Sequence, residues 1–319
     1  MMMENDIRGD TTSVAAKKPV MIFKKPYHKI IDSTTSYVFV LPWLIIFLAF
    51  TVYPLIYSFY ASLTNYAALK PETIKDFVWL NNYIELFSDA KFHMSLLNTL
   101  KFSLITIPIT TVLALLLAVS LNQGAKFNNL FRIGFFFPTV TSLSVISLLW
   151  LALLYKDGII SKFVELLGFK GRNWLTDSST ALPSIMVMCI WSAIGFYMLI
   201  YVSALQNIPN ELYEAATVDG ANGVQKFFKI TLPYLRHTTI YVVVLNTINS
   251  LQIFTEPQIM TKGGPGYATT TSVLYLYRTA FTGNRMGYAS AVGYVLFFII
   301  LLFSLIQTKV FKLNKGVDD

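Results

Sequence analysis

The hydrophobic positions of the chain are gathered in long runs that polar segments separate. A membrane-spanning helix needs roughly 20 mostly apolar residues to cross a hydrocarbon core of about 30 Å. Six runs meet this requirement, over residues 37–60, 100–121, 134–155, 183–204, 240–259 and 286–310. The pattern predicts an all-α membrane protein with six transmembrane helices. Its expected parts are a polar N-terminal tail (1–36), a six-span domain (37–310) and a C-terminal tail (311–319).

Composition agrees with a membrane protein. Hydrophobic residues make up 55% of the 319 residues and charged residues 13%, and the mean hydropathy of +0.56 exceeds that of typical soluble domains. The net charge of +8 is compatible with nucleic acid or with an anionic membrane surface. Because the chain has apolar spans, we expect the positive charge to contact lipid headgroups. We do not expect it to bind nucleic acid.

The N-terminal tail indicates the orientation. It is rich in lysine, and positively charged flanks tend to stay in the cytosol. The lysines before the first apolar run are Lys17, Lys18, Lys24, Lys25 and Lys29. An even number of spans then predicts that both termini are cytosolic. The first run is long and lacks the small-residue cleavage site of a signal peptide, so we expect it to remain as a membrane anchor.

Prolines occur in several predicted spans, at Pro42, Pro54, Pro108, Pro138 and Pro257. Proline removes a backbone donor and kinks a helix, which is tolerated where neighbouring helices or a cavity satisfy the freed carbonyls. Kinked spans fit a transport pathway, although proline is also common in membrane helices generally.

A polar segment, EAATVDGANGVQKFFKITLP, separates the fourth and fifth spans. It predicts two short helices. Asn210 is expected to cap the first helix, and Gly220 to end it in the left-handed conformation. Asn222 with Gln225 forms a capping-box pattern for the second helix. Pro233 disfavours helix at Leu232, so we expect the second helix to stop near there.

The surface of this segment combines apolar and charged side chains, which is the composition of a docking surface. An amphipathic connector lying on the bilayer would have the same composition, so both interpretations stay open on this ground alone. The side chains concerned are Leu212, Ala215, Ala216, Phe227 and Phe228 with Glu214, Asp219, Lys226 and Lys229.

The segment also follows a longer pattern: Glu-Ala-Ala, three residues, Gly, nine residues, Ile, one residue, Leu-Pro. This resembles the EAA loop of permease subunits in binding-protein-dependent ABC importers. The resemblance implies a type I ABC importer permease fold, with a coupling loop at 207–236 whose first helix fits a groove on a cytosolic ATPase. The implied ATPase-coupling residues are Glu214, Ala215, Ala216, Asp219, Gly220, Ile230, Leu232 and Pro233.

A second stretch narrows the family. TKGGPGYATTTSVLYLYRTAF (261–281), followed by MGYASA from Met286, is similar to the segment before the last span in carbohydrate permeases of the maltose and glycerol-phosphate branch. Gly263, Gly264 and Pro265 are expected to form a tight turn. Because no Gly-Lys-Ser/Thr follows the glycines, a phosphate-binding loop is excluded.

The resemblance further implies the partners. They are a second, related permease subunit, two cytosolic ATPase subunits, an extracytoplasmic solute-binding protein, a carbohydrate and membrane lipid. ATP and Mg would be bound by the ATPase, and this chain is expected to carry no catalytic residue, no cofactor and no metal. The expected location is the bacterial cytoplasmic (inner) membrane.

The fifth span is unusually polar. Asn246, Asn249, Ser250 and Ile253 follow one helical stripe, and Gln252 lies alongside. Amides inside a membrane usually face the bundle interior or a water-filled cavity, and they match sugar hydroxyls as donors and acceptors. We therefore predict a substrate path here. Links between helices would use the same side chains.

The fourth span contributes Ser192, Phe196 and Tyr197 to the predicted path, because aromatic faces stack on sugar rings as well as packing cores. Glu256 lies near the outer end of the fifth span and is expected to pair with a neighbouring cation. Cys189, the single cysteine, can form no intrachain disulfide and is expected to be a small core residue.

Three other classes of function are alternatives to this prediction. A non-transporting scaffold stays open, although the polar fifth span argues against it. An intramembrane protease is disfavoured, because His28, His93 and His237 all lie outside the spans and no HExxH or GxSxG occurs. An ion-coupled secondary transporter is the stronger alternative; it usually has inverted repeats or mid-membrane acids, and it would not need an EAA loop. Neutral oligosaccharides, acidic oligosaccharides and glycerol phosphates remain candidate solutes. The absence of Lys and Arg from the middle of the spans argues against a dedicated site for a strongly anionic one.

Overall fold

The computed structural model describes residues 27–122, 128–168 and 173–313. It divides the chain into two units, Met1–Leu55 and Ile56–Asp319. The α-helices, in chain order, are α1 (Tyr27–Phe47), α2 (Tyr53–Ser62), α3 (Asn81–Ser88), α4 (Ala90–Asn122), α5 (Asn128–Val140), α6 (Leu143–Leu154), α7 (Ile159–Leu166), α8 (Ala181–Leu205), α9 (Asn210–Val218), α10 (Gly223–Lys226), α11 (Leu232–Tyr234), α12 (Arg236–Leu251), α13 (Thr255–Met260), α14 (Ser272–Tyr277) and α15 (Met286–Leu313). Across these ranges no β-strand forms, and the all-α prediction is confirmed.

The ends of the chain bear on the predicted tails. Helix α1 begins at Tyr27, before the predicted start of the first span, and contains Pro42. A π turn, Leu48–Val52, follows it. Helix α15 continues to Leu313. The rest of both predicted tails, residues 1–26 and 314–319, lies outside the described residues.

The second unit is organised around α4. This 33-residue helix packs along α8 and α12, while α5 packs on α8, α6 on α13, and α15 on α12, α14 and α3. Its C-terminal half joins one buried cluster through Ala114 and Ala118, together with Tyr201 and Leu205 of α8. Its N-terminal half joins a second cluster through Phe102. The middle of α4 is thus placed between two tightly packed layers.

In the part of the chain that the structure describes, five stretches of helix are long and apolar enough to cross a membrane. They are Tyr37–Ser62, Ala90–Asn122, Leu143–Leu166, Ala181–Leu205 and Met286–Val310. The predicted count of six is therefore close. What differs is the fifth predicted span, which is not one continuous helix.

The fifth span is broken between α12 and α13. Helix α12 has 16 residues and is about 24 Å long at 1.5 Å per residue, which is less than the hydrocarbon core of about 30 Å. The chain leaves the helix at Gln252 and re-enters it at Thr255. Pro257 explains the break, because in a continuous helix its ring would clash with the carbonyl of Ile253, four residues earlier. At its actual place in the first turn of α13, its missing N–H is not needed.

The third predicted span, 134–155, is also interrupted. Helix α5 ends at Val140, and Ser142 adopts an extended conformation (φ −57°, ψ 129°) before α6 begins. Pro138, inside α5, removes a donor one turn before the break. Prolines therefore lie at both of these breaks, where the sequence predicted kinks.

Helices α5 and α8 approach backbone to backbone at Gly195. A Cβ atom at this position would lie 2.0 Å from the carbonyl oxygen of Phe135. We expect Gly195→Ala to lower the unfolding temperature of the purified protein, because an overpacked contact of this kind costs about 1–3 kcal/mol or more. Gly134→Ala in α5 is the matched control, since a Cβ there meets nothing within 4 Å. Equal unfolding temperatures for the two variants would contradict the close approach.

A carboxylate braces the end of the second unit where α4 begins. Asp89 accepts hydrogen bonds from the backbone amides of Lys91 (2.8 Å) and Phe92 (3.4 Å) and from the hydroxyl groups of Tyr288 (2.8 Å) and Tyr275. Partial burial acts to raise the pKa of Asp89, but these four donors outweigh it and lower the pKa below its ordinary value. The carboxylate therefore ties α4, α14 and α15 together.

A bidentate ion pair lies next to this carboxylate. Arg285 donates to both carboxylate oxygens of Glu85 at 2.7 and 2.6 Å, and its guanidinium group lies 4.3 Å from the ring centre of Tyr288. Both side chains are about half exposed, at 47% and 49%, so the pair contributes little by itself. It fixes α3 against the start of α15.

Asp89→Asn is expected to destabilise the protein by about 1–3 kcal/mol at neutral pH, because hydrogen bonds to a charged acceptor are lost. A lowered pKa in the folded state means that the contribution of Asp89 is fully present above its ordinary pKa, about 4, and is lost as the pH falls through the lower folded value. Unfolding temperatures of the variant and of the wild type should therefore converge in strong acid. The control is Asp157→Asn, at an exposed loop position. A constant difference across the pH range would contradict the assignment.

Candidate functional site

A cavity of about 440 Å³ lies in the middle of the second unit. Its wall is built from α4, the end of α5, the start of α6, α8 and the broken fifth span. All eight residues predicted for a substrate path line it. They are Ser192, Phe196, Tyr197, Asn246, Asn249, Ser250, Gln252 and Ile253. The structure thus brings together two sets of residues that are about 50 positions apart in the chain.

The break in the fifth span forms one wall of this cavity. Gln252, Ile253 and Phe254 connect α12 to α13 and all three line the space. Irregular backbone at membrane depth is tolerated only where protein or a water-filled cavity meets its polar groups. The side chain of Gln252 is exposed to the cavity, while that of Ile253 is buried. The break therefore turns the amide side chain of Gln252 towards the cavity.

Asn246 and Ser250 link α12 to α4. The amide of Asn246 donates to the carbonyl of Ile107 (3.4 Å), and the Ser250 hydroxyl donates to Asn246 Oδ1 (3.2 Å). The hydroxyl groups of Ser250 and Thr106 lie 3.5 Å apart. Both residues of α12 are buried, with 5% and 6% exposure. They line the cavity and also hold two helices together, so both interpretations drawn from the sequence apply to them.

Asn249 and Gln252 differ from that pair because their side chains are exposed. The amide of Asn249 donates to the hydroxyl of Tyr197 across the cavity wall, at 3.2 Å. The ring of Tyr197 packs edge-on against Phe196, with ring centres 5.3 Å apart. Phe196 is 41% exposed, so it offers an aromatic face to the cavity. Amides beside an exposed aromatic face form a surface that suits a sugar ring.

Other lining residues were missed from the sequence. Thr106 and Thr110 of α4, Thr139 of α5 and Thr255 of α13 add hydroxyl groups to the wall. The spacing of four between Thr106 and Thr110 places them on one helical face, and this signal was available. Threonine is common in membrane helices, where its hydroxyl bonds to the preceding turn, so the spacing alone selects no function. Thr106 makes such a bond, to the carbonyl of Phe102 (2.8 Å).

One sequence-based expectation was wrong. Among the described residues Glu256 forms no ion pair with a cation; its side-chain partner there is the thiol of Cys189. Cys189 is half-buried and packs against the second buried cluster, as expected of a small core residue, and it also lines the cavity. The break at residues 252–254 explains the position of Glu256, because it brings α13 alongside α8.

The loop between α8 and α12 is a compact pair of short helices. Gly220 ends the first at φ +77°, as predicted, and the amide of Ala221 donates to the carbonyl of Ala216 (2.8 Å). The predicted capping box is also present: Asn222 accepts from the amide of Gln225 (2.9 Å), whose side chain accepts from the amide of Asn222 (2.8 Å). These contacts fix the turn between α9 and α10.

Two details of this loop differ from the prediction. Helix α9 begins at Asn210, so Pro209 occupies the capping position. The second helix ends near Leu232, as predicted, but it runs through Leu232 and Pro233 to Tyr234. A π turn, Phe227–Thr231, allows this, because the amide of Leu232 bonds to the carbonyl of Phe227, five residues earlier. The wider turn makes room for a proline in the helix.

The eight predicted coupling residues separate into two groups. The exposed ones are Glu214, Ala215, Asp219, Gly220 and Pro233, while Ala216, Ile230 and Leu232 are half-buried. Ile230 and Leu232 pack against the buried cluster at the end of α4 and α8, as do Tyr213 and Phe227. Tyr213 also hydrogen-bonds with Thr231 (2.9 Å). The loop is therefore anchored through one face and presents the other.

The glycine-rich stretch after α13 forms the tight turn that was predicted. Gly263 has φ +72°, and Gly264 and Pro265 are joined by a cis peptide bond. Thr269, Thr270 and Thr271, all fully buried, bond through their hydroxyl groups to the backbone carbonyls of Gly264 (2.8 Å), Gly263 (2.9 Å) and Ile253 (2.8 Å). The last of these bonds ties the turn to the cavity wall.

Within residues 27–122, 128–168 and 173–313, no group of His, Cys, Asp and Glu side chains could hold a metal ion. The site is instead a polar, aromatic-lined cavity among membrane helices, joined through α8 to an exposed helical loop. This combination defines the membrane component of a transporter. Residues 110–312 match the family described as binding-protein-dependent transport system inner membrane component. The chain belongs to that family, and it is a multi-pass permease subunit.

Named relatives cover most of the chain. It is 38% identical to the probable ABC transporter permease protein YurN of Bacillus subtilis, over 88% of this chain and 96% of the relative. It is 34% identical to the arabinooligosaccharides transport system permease protein AraP of the same organism, over 88% and 89%. It is 31% identical to the trehalose/maltose transport system permease protein MalF of Thermococcus litoralis, over 89% and 96%.

A solved structure has the same fold. The crystal structure of a bacterial ABC transporter involved in the import of the acidic polysaccharide alginate contains a chain that aligns with a TM-score of 0.78, at 23% identity, over 92% of this chain and all of that one. The fold is therefore that of a type I ABC importer permease, and the prediction of fold class is confirmed.

Proposed function

We propose that this chain is the permease subunit of an ATP-driven importer that moves a sugar or an oligosaccharide across the bacterial cytoplasmic membrane. The observation that carries the proposal is the cavity, where two exposed amides, several hydroxyl groups and an exposed aromatic ring converge. Sugars present hydroxyl groups around their rings and apolar ring faces, and this wall offers a partner to both. The names of the relatives, which include arabino-oligosaccharide and maltose systems, support a carbohydrate.

The proposed cycle is alternating access. Helix α8 lines the cavity and leads directly into α9 through residues 206–209. An ATPase bound to the exposed face of α9 would move α8, and with it the aromatic side of the cavity. ATP binding and hydrolysis in that ATPase would supply the energy, and the residues of this chain would only bind the sugar and change the side to which it is exposed.

The proposed complex contains two permease subunits, this chain and a related one, on two cytosolic ATPase subunits. An extracytoplasmic solute-binding protein would deliver the sugar. A solved neighbour of the same fold is described as a complex with an oligosaccharide-bound periplasmic protein, which supports this partner. In this arrangement the termini and the loop between α8 and α12 face the cytosol, and the complex binds no nucleic acid.

The test is the ATPase activity of the complex, purified in lipid with its co-encoded subunits. Activity is compared without binding protein, with empty binding protein, and with binding protein loaded with arabino-oligosaccharides or maltose. We expect one loaded sugar to stimulate hydrolysis above the empty control. If no ATPase co-purifies with the chain, the importer proposal is wrong and an ion-coupled carrier takes its place.

A further inference from the structure

The cavity wall carries one acidic side chain and, among the described residues, no basic one. Its 19 lining residues include Glu256 and no Lys, Arg or His. The remaining polar lining groups are hydroxyl groups, amides and one thiol, so Glu256 alone determines the formal charge of this wall. The proposed function assigns no role to Glu256. The sequence analysis expected it near the outer end of the fifth span, paired with a cation.

The environment of Glu256 leaves its oxygens available to a ligand. A carboxylate has about four acceptor positions. Here its side-chain partner is the thiol of Cys189, which is a weak donor, and its own backbone amide supplies a further contact. Spare acceptor positions on a carboxylate make strong, charge-assisted hydrogen bonds to hydroxyl groups. A neutral sugar can therefore bind beside Glu256.

A ligand that carries its own carboxylate, sulfonate or phosphate is repelled by Glu256. Two like charges in a cavity of low dielectric repel each other more strongly than in water. No lining cation compensates for either charge. Specificity in such a wall arises from rejection of one ligand class as well as from attraction of another.

We propose that Glu256 is a specificity-determining residue that makes this half of the pathway admit uncharged or cationic sugars and reject anionic ones, such as uronate oligosaccharides and sugar phosphates. The proposal rests on the proposed function for the identity of the cargo. The proposal depends on a negative electrostatic potential in the cavity, and this potential can be measured without a transport assay.

Cys189 supplies the probe, because it lines the same cavity beside Glu256 and is the only cysteine of the chain. Its thiolate displaces methanesulfinate from a methanethiosulfonate reagent and forms a mixed disulfide. Two reagents of similar size are used, one with a trimethylammonium group and one with a sulfonate group that stands in for a sugar acid. The rate of each reagent with Cys189 is divided by its rate with free cysteine. The normalised rate of the cationic reagent is then divided by that of the anionic reagent, so that the ionised fraction of the Cys189 thiol cancels.

The measurement uses the assembled complex in lipid, with partner subunits that lack cysteine. For the wild type we expect the cationic reagent to be favoured by about tenfold or more, because a negative charge a few Å from the thiol attracts one reagent and repels the other. Glu256→Gln keeps the shape of the side chain and should bring the ratio close to one. Glu165→Gln, at an exposed position on α7, is the control and should leave the ratio unchanged.

Two results would overturn the proposal. One is a wild-type ratio near one, which would mean that the carboxyl group carries a proton or is compensated by the partner subunit; this result needs no variant to fold. The other is a ratio that survives in Glu256→Gln. Neither depends on ATP hydrolysis, so a complex that fails the sugar-stimulated ATPase test can still give the expected ratio. In that case the importer proposal falls and the charge selection stands.

Discussion

Glu214→Arg is expected to reduce the sugar-stimulated ATPase activity of the complex by about 30-fold or more, while the membrane fold stays intact. Glu214 is exposed on α9 and lies on the face of the loop that is not packed against the core. A groove that receives this carboxylate would meet a cation instead, and loss of one partner of a charge pair at an interface costs about 2–5 kcal/mol. Each 1.4 kcal/mol is a factor of ten in the binding constant.

The measurement is co-purification of the ATPase together with its activity in lipid. The charge-matched control is Glu165→Arg, at an exposed position on α7 outside the loop. A second pair of variants tests the turn: Gly220→Val forces a β-branched residue to φ +77°, whereas Gly223→Val places it where no positive φ is required. Only the Gly220 variant should share the defect. Wild-type activity in both Glu214→Arg and Gly220→Val would remove the coupling role of the loop.

Asn249→Leu is expected to lower sugar uptake about tenfold without lowering the unfolding temperature. The amide is exposed to the cavity, and its partner among the described residues is the hydroxyl of Tyr197. Replacement removes a donor and an acceptor from the wall, and a buried polar group left unpaired costs about 1–3 kcal/mol in the complex with sugar. Uptake of labelled sugar into vesicles and thermal unfolding are measured on the same preparation.

Asn246→Leu is the matched comparison variant for stability and uptake. Asn246 bonds to the carbonyl of Ile107 on α4 and accepts from Ser250, so its loss is expected to weaken the packing of α12 on α4 and to lower the unfolding temperature. If Asn249→Leu destabilises the protein as Asn246→Leu does and transports normally once folded, the polar stripe serves only to join helices.

The sequence predicted most of the helical framework because its signals are local. Length and hydropathy alone define runs such as 183–204, and the glycine at 220 and the capping pair Asn222 and Gln225 act within one turn. Six of the eight residues of the predicted path share a cavity because α8 and α12 each present one face to it, and Gln252 and Ile253 join them at the break after α12. For these elements the spacing of residues along the chain is enough to predict which side chains share a helix face.

What the sequence did not predict depends on contacts between distant elements. The consequence of Pro257 was a complete break at residues 252–254 instead of a kink, and this depends on the bonds that tie the break to the turn after α13. The π turn before Pro233 likewise follows from the packing of Phe227 and Ile230 on the core. Glu256 beside Cys189 is a result of the same break. A single sequence contains no local signal for any of these pairings.

The broken fifth span also has a consequence for the biogenesis of the protein. During synthesis, a segment enters the bilayer from the translocon according to its length and apolar content, and amides at its centre oppose entry. Helix α12 is short, and Asn246, Asn249 and Ser250 lie in its second half. It is the span least able to enter lipid by itself. Helix α4 is synthesised earlier and offers the carbonyl of Ile107 to Asn246. We therefore expect the fifth span to enter the membrane together with, and stabilised by, helices that are already inserted.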